Sequence, residues 1–178
     1  MSSIETLAVI GATGAVGRIV LEQLEKRRLP IKRYVFLASK RSAGTKLQFM
    51  GQTYEVGLLE PQAFVGVDLA IATTPDEVAV EFMPWARAAG TIVIDESAAH
   101  RMLPDVPLVI PEVNAHAIAR HRGLIASPNC SSTQLVVALK PLHDAARVRR
   151  VVVTTYQATS GAGSAGSEEL TAGLLALH

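Results

Sequence analysis

The order of apolar runs and turns predicts an α/β fold, a doubly wound parallel sheet followed by the start of a second α+β domain. Three observations predict it. Short runs that are apolar throughout alternate with segments of helical periodicity, as expected for strands covered on both faces. A glycine-rich turn joins the first run to the first helix. The polar residues with chemical interest gather where the runs end: 11–17, 39–44, 73–76 and 95–97. In open parallel sheets that edge is the ligand edge.

Leu7 to Ile10 is the first strand, and Val16, Ile19, Val20 and Leu24 then recur at helical spacing. Lys26, Arg27 and Arg28 fall at the expected helix end, where cations suit the macrodipole. Tyr34 to Ala38 is the second strand, ended by the polar segment Ser39 to Lys46. Leu47 to Phe49 and Thr53 to Val56 read as a hairpin or two short strands around Gly51 and Gln52. Val67 to Ala72 is another buried strand. Pro75 and Asp76 open a helix through Val78, Phe82, Trp85 and Ala89, closed by Gly90, and Thr91 to Ile94 is a further strand.

The pattern changes near residue 128, so the expected domains are 1–128 and 129–178. A helix runs through Leu135, Val136 and Leu139 and is expected to end or kink at Pro141. Arg150 to Thr159, rich in β-branched residues, reads as a long strand of a different sheet. A Gly/Ser loop, 160–166, leads to a last helical pattern through Leu170, Leu174 and Leu177.

Composition removes several functional classes. The 178 residues are 49% hydrophobic and 19% charged, far too apolar for disorder. With 17 Lys and Arg against 16 Asp and Glu, the net charge is +1, without the basic excess of a nucleic-acid partner. The longest aliphatic stretches, such as 135–139, fall short of the ~20 residues that span a bilayer. The start of the chain has no basic region of the secretory type. A single cysteine excludes an internal disulfide framework and a Cys-based zinc cluster. The expectation is a cytoplasmic protein with no metal, nucleic-acid or membrane partner.

Two turns suggest a nucleotide. Gly11, Gly14 and Gly17, spaced G-x-x-G-x-x-G through Thr13, Ala15 and Val16, would let the backbone turn tightly and offer helix N–H groups to a pyrophosphate. That is a Rossmann-type arrangement; a ligand-free tight turn is the alternative. At the end of the second strand, where an acid would bind a ribose 2′-hydroxyl, stand Ser39, Lys40, Arg41 and Ser42. Cations among hydroxyls suit a 2′-phosphate and favour NADP, with a solvated basic loop as the plainer reading. Thr73, at another strand end, joins the expected cofactor contacts.

Cys130 is the sharpest feature. Pro128 keeps the residue before it out of helical geometry and Asn129 is a good N-cap. The thiol would then sit in the first turn of a helix, where N–H groups and dipole favour a thiolate able to attack a carbonyl. A small buried hydrophobe is the alternative. The histidines 100, 116, 121, 143 and 178 show no metal spacing and no carboxylate partner along the chain. Asp95 and Glu96 end a strand at the ligand edge, either as site residues or as ordinary loop charges.

Together these segments resemble the aspartate-semialdehyde dehydrogenase family. Gly11 to Gly17 is similar to its nucleotide loop and Ser39 to Gly44 to its 2′-phosphate loop. Asp105 to Asn114 (DVPLVIPEVN) resembles a family signature, Ser127 to Gln134 (SPNCSSTQ) the nucleophile motif, and Thr155 to Gly163 (TYQATSGAG) the segment facing it. The resemblance covers essentially the whole chain. It implies an NADP-dependent, phosphorylating oxidoreductase acting on aspartate 4-semialdehyde and phosphate, in lysine, threonine and methionine biosynthesis. Cys130 would form the thioacyl enzyme, Asn129 would orient the acyl oxygen and Gln157 would line the substrate pocket. Arg101 would hold phosphate oxygens, and Ser160 and Gly161 would approach the nicotinamide. A homodimer or homotetramer is implied, with residues 129–178 beginning its catalytic and dimerisation domain.

The family's acid/base histidine, second arginine, and a Glu and a Lys of the site fall beyond residue 178. The chain by itself is therefore expected to be an incomplete portion that turns over little. Thr73 to Glu77 replaces a Gly/Ser-rich loop and resembles instead the N-acetyl-glutamyl-phosphate reductases. That leaves such a reductase, another acyl-phosphate or acyl-thioester reductase, or a non-catalytic NADP-binding module as the alternative. Glu96 stands where Asn is usual, and His100 where an aromatic is usual.

Overall fold

The computed structural model describes residues 4–176. Leu177, in the last helical pattern, and His178 lie outside the described residues. The chain divides into a first compact unit ending at Arg147 and a second beginning at Val148.

The first unit is built on a sheet of six parallel strands: β1 (Thr6–Ile10), β2 (Arg33–Ala38), β5 (Gly57–Leu58), β6 (Leu69–Ala72), β7 (Ile92–Asp95) and β8 (Leu124–Ala126), in the order β5-β2-β1-β6-β7-β8. The chain leaves β1 toward one edge of the sheet and returns to its other side at β6. The strand order therefore reverses between β1 and β6, and crevices for ligands open at such a point. This is the doubly wound architecture expected from the alternating pattern.

Every residue of β1 is buried, because helices cover both faces. Ala8 and Ile10 pack on one side with Phe64, Phe82, Met83 and Ala86. Leu7 and Val9 pack on the other with Leu21, Leu24, Phe36 and Phe49. The period of two along a strand is what sends alternate side chains to these two layers. Each fully buried aliphatic or aromatic side chain contributes roughly 1.5–3 kcal/mol.

Helix α1 (Ala15–Arg27) buries Gly17, Leu21 and Leu24, with Val20 packed at the margin. Val16 and Ile19, expected on its apolar face, are 46% and 56% exposed. The stripe is set by Gly17, where a missing side chain lets the helix approach β1. The helix closes with Arg28 in the left-handed conformation, and Lys26 and Arg27 in its last turn. The hairpin of β3 (Lys46–Phe49) and β4 (Gln52–Glu55) turns at Met50 and Gly51, both at positive φ, the backbone that a two-residue hairpin turn requires. Phe49 and Tyr54 bring it onto the α1 layer through edge-on contacts with Phe36.

Helix α2 (Asp76–Ala89) buries Ala79, Phe82, Met83 and Ala86 and ends on Gly90 at φ +75. After β7 come a short helix α3 (Pro111–Asn114), a 3-10 turn (Ala115–Arg120) and β8. Helix α4 (Cys130–Ala146) then follows, with none of its residues fully buried. Pro141 does not end α4, which continues past it for more than a turn. The ring is on an exposed stretch, as is that of Pro84 within α2. The compact unit thus includes α4, whereas the sequence pattern begins the second domain at residue 129.

The second unit holds a 3-10 turn (Thr159–Ala162) and helix α5 (Gly163–Leu175). The strand expected over 150–159 is corrected here. Residues 148–158 join no ladder among the described residues, Val152 is 79% exposed and Tyr156 fully so. β-Branched residues fit a pleated surface only when a neighbouring strand supplies one.

Two outcomes test this account. A Cβ on residue 17 would lie 2.2 Å from the Gly11 carbonyl oxygen, so Gly17→Ala should destabilise the fold by about 1–3 kcal/mol or more in urea unfolding. Asp68 Oδ2 accepts the Glu5 and Thr6 amides at 2.9 and 2.8 Å. Those bonds hold the carboxyl below its ordinary range. Its contribution is therefore complete above the ordinary carboxylate value of about 4 and lost as pH falls through the lowered one. Asp68→Asn should remove that part of the acid-side decline in melting temperature.

Candidate functional site

At the end of β1 the chain turns sharply at Gly11, φ +82. The Gly11 and Ala12 amides both donate to the Leu37 carbonyl, at 2.8 and 3.2 Å, and Gly14 N–H donates back to the Gly11 carbonyl. Glycine is required at two of the three motif positions. A Cβ at 11 would meet the Thr73 carbonyl at 2.7 Å and its hydroxyl at 2.8 Å, and one at 17 would meet Gly11 itself. Gly14 caps α1 with no side-chain bond, and the first turn holds no acid. The opening N–H groups of α1 are thus left to a ligand or solvent, with the positive end of the dipole behind them. Thr13 is half-buried, and Ala15 and Val16 are exposed at this mouth.

Thr73 closes the other side of the strand reversal. Its amide and hydroxyl both donate to the Ile10 carbonyl, at 2.9 and 3.0 Å. The hydroxyl of Thr74, next along, is buried with no hydrogen-bond partner among the described residues. The sequence places Thr74 within the polar segment 73–76 at the ligand edge but does not single it out; the burial of its oxygen does. A shaped glycine turn, an uncapped helix start and an orphaned hydroxyl together fit a dinucleotide.

Beyond β2, the Ser42 and Ala43 amides donate to the Ser39 carbonyl, and Gly44 at φ +81 returns the chain toward Val56. This compact turn leaves Ser39, Lys40 and Arg41 exposed and Ser42 half-buried. Neither cation has an ion-pair partner among the described residues.

Cys130 is exposed, in the first turn of α4. Asn129 caps that helix as expected: its side-chain oxygen accepts the Ser131 amide at 2.9 Å. The preceding residue pair is held from β7. Ser127 N–H donates to the Asp95 carbonyl at 2.8 Å, and Arg101 Nε donates to the Ser127 carbonyl at 2.8 Å. Arg101 Nη2 reaches the Glu96 carbonyl at 2.7 Å. The fold therefore gathers Arg101, Asn129 and Cys130 around the ends of β7 and β8. Gln157, Ser160 and Gly161 belong to the second unit and are exposed, Gln157 donating to the Thr155 hydroxyl.

One histidine departs from the sequence reading. His100 is buried, with Nδ1 2.7 Å from Asp95 Oδ2. Five residues apart across a turn, the two carry no spacing signal that pattern reading would register. Glu96 beside them is half-buried. Burial, and then the Asp95 carboxylate, push its carboxyl above the usual range, with Arg101 pulling the other way.

Residues 6–121 match the family model of the semialdehyde dehydrogenase NAD binding domain, and 139–174 that of the semialdehyde dehydrogenase dimerisation domain. Aspartate-semialdehyde dehydrogenase of Aquifex aeolicus is 47% identical over 167 residues, 92% of this chain and 49% of that protein. The solved aspartate semialdehyde dehydrogenase II of Vibrio cholerae, complexed with ASA, superposes with a TM-score of 0.89 at 43% identity, covering 96% of this chain and 52% of that one. The Candida albicans enzyme with NADP gives 0.67 at 27% identity, over 82% of this chain and 48% of that one. The chain spans about half the length of the curated relatives it matches.

The Glu96 environment yields a sign-specific test. Because its carboxyl is raised in the fold, the cost of ionising it is complete above the raised value and disappears as pH falls below the ordinary one. Glu96→Gln should therefore raise the melting temperature at neutral pH and leave it unchanged in acid.

Proposed function

Since the chain belongs to the semialdehyde dehydrogenase family, we propose that it carries the nucleotide-binding part and the thiol nucleophile of an NADP-dependent, phosphorylating aspartate 4-semialdehyde dehydrogenase. The observation that carries this reading is the placement of Cys130. It is the only cysteine, exposed in the first turn of a side-chain-capped helix, with the Arg101 guanidinium bonded to the segment before it.

Cys130 Sγ attacks the aldehyde carbon and forms a C–S bond, giving a thiohemiacetal whose oxygen takes a proton. Oxidation at that carbon leaves a thioester on Sγ, and phosphate oxygen then attacks the acyl carbon, breaking the C–S bond and releasing the thiolate. Asn129 orients the acyl oxygen. Arg101 spends two N–H groups on backbone carbonyls; its remaining donors suit phosphate oxygens in a planar fork.

The cofactor, when bound, supplies hydride transfer. Gly11, Thr13, Gly14, Ala15, Val16 and Gly17 would hold its pyrophosphate at the start of α1. Thr73 and the Thr74 hydroxyl, without a hydrogen-bond partner among the described residues, flank the reversal point. Ser39, Arg41 and Ser42 would hold a 2′-phosphate, which favours NADP over NAD. The match of 139–174 to a dimerisation domain, with Val137 and Leu142 exposed on α4, supports a homodimer or homotetramer. No helix of the described residues is long and apolar enough to cross a membrane; a cytoplasmic setting accords with a reduced single thiol.

Two measurements decide the reading. Arg41→Ala should weaken NADP binding about tenfold, the equivalent of one charge-assisted bond, and leave NAD binding unchanged in calorimetric titration; equal losses for both remove the 2′-phosphate assignment. Intact-mass spectrometry with aspartyl phosphate should show an acyl adduct on the wild-type chain and none on Cys130→Ser. An adduct formed only with N-acetyl-glutamyl phosphate would move the substrate to the related reductases.

A further inference from the structure

The mechanism above leaves the buried Asp95–His100 pair unused. Asp95 is fully buried, and a carboxylate there persists only if its lone pairs are met. Three donors meet them: Ser97 N–H at 3.0 Å to Oδ1, and Ser97 Oγ and His100 Nδ1, each at 2.7 Å, to Oδ2. Against a carboxylate, which only accepts, Nδ1 bonds as the N–H tautomer of the imidazole. The three donors span residues 97–100, so they fold the chain after β7 back onto its own end. A fourth tie, the Ala98 amide to Asp76 Oδ1 at 2.8 Å, pins the same turn to the start of α2.

The next residue is Arg101. Its position determines what its fork can reach, and it reaches the Glu96 and Ser127 carbonyls. Ser127 is gripped at both ends of one residue, its N–H by the Asp95 carbonyl and its carbonyl by Arg101. Two residues later Asn129 caps α4, and Cys130 begins it.

We propose that His100 and Asp95 form a positioning pair for Arg101, fixing the turn 96–101 so that the guanidinium is held on Ser127 beside the thiol of Cys130. Neither residue touches the reacting atoms; both act through the arginine. An aliphatic or aromatic side chain at 100 would fill the space but leave Asp95 Oδ2 with one donor fewer. The proposal takes from the functional reading only that Cys130 is the reactive group.

The test uses the whole chain and its single cysteine. A cation held beside a thiol accelerates the anionic reagent iodoacetate relative to neutral iodoacetamide, so the ratio of the two alkylation rates reports where the guanidinium is, independently of general loosening. At low ionic strength, His100→Phe should lower that ratio roughly threefold, the size of one charge displaced across about a Debye length. Arg101→Ala should lower it equally. His100→Asn, whose amide reproduces the Nδ1 donor, should retain the wild-type ratio. Amide exchange at Ser127 should quicken in His100→Phe and not in His100→Asn.

If His100→Phe folds with an unchanged ratio and unchanged Ser127 exchange, the positioning role is overturned. If that variant does not fold, Ser97→Ala, which removes the other donor to the same oxygen, is read in the same way. An Arg101→Ala ratio equal to wild type, with Ser127 exchange still quickened by His100→Phe, would uphold the clamp on the backbone but overturn the placement of the guanidinium beside the thiol. Retention of a thioacyl adduct or its absence is scored separately, so failure of the substrate reading leaves these outcomes legible.

Discussion

The ligand edge depends on how closely helix α1 starts to strand β1. Side chains at residues 11 and 17 would each occupy space already taken by backbone or by Thr73. Without them the helix begins directly above the strand end, and its unpartnered N–H groups face the crevice where the strand order reverses. The same approach sets the buried stripe of α1, because Gly17 turns toward the sheet and carries Leu21 and Leu24 with it. A geometric requirement at two glycines thus propagates into both the packing of the core and the electrostatics of the mouth.

The other end of that edge is organised by a buried charge instead of a close approach. Asp95 terminates β7 with its carboxylate fully enclosed and its backbone carbonyl accepting the Ser127 amide. Removing any one donor would leave a carboxylate cut off from water and short of a partner inside the protein. The Asp95 carboxylate ties the turn 97–100 back onto the end of β7, while its backbone carbonyl holds the segment that leads to the cysteine-bearing helix. The neighbouring Glu96 carboxyl is raised by the same burial and by Asp95 itself, so the acidic residues here have different tasks despite being adjacent in the chain.

The two ends have a common logic. Parallel strands deliver loops to one edge, and the start of each loop there is stabilised by a bond to the strand end beside it: Gly11 to Leu37, Thr73 to Ile10, Ser127 to Asp95. The edge is therefore rigid where a cofactor and a nucleophile would need fixed positions. Its exposed members, Lys40, Arg41 and Cys130, project from that frame toward solvent and ligand. Rigid backbone with projecting reactive groups is the arrangement that makes preorganised binding possible.

The amino-acid sequence by itself determined the alternation of strands and helices, the parallel sheet, the glycine turn, the end of α1 at its basic cluster, and the capped cysteine. All of these depend on neighbours a few residues apart, where periodicity and capping rules act. Tertiary structure decided what those rules do not reach. It turned Val16 and Ile19 outward, carried α4 through Pro141, and left Val151 to Thr155 without a strand partner despite their propensity. It also joined His100 to Asp95 and left the Thr74 hydroxyl without a partner among the described residues. These outcomes depend on which group from a distant segment arrives within bonding distance, and burial of a polar atom is a property of the packed fold, invisible in the order of residues.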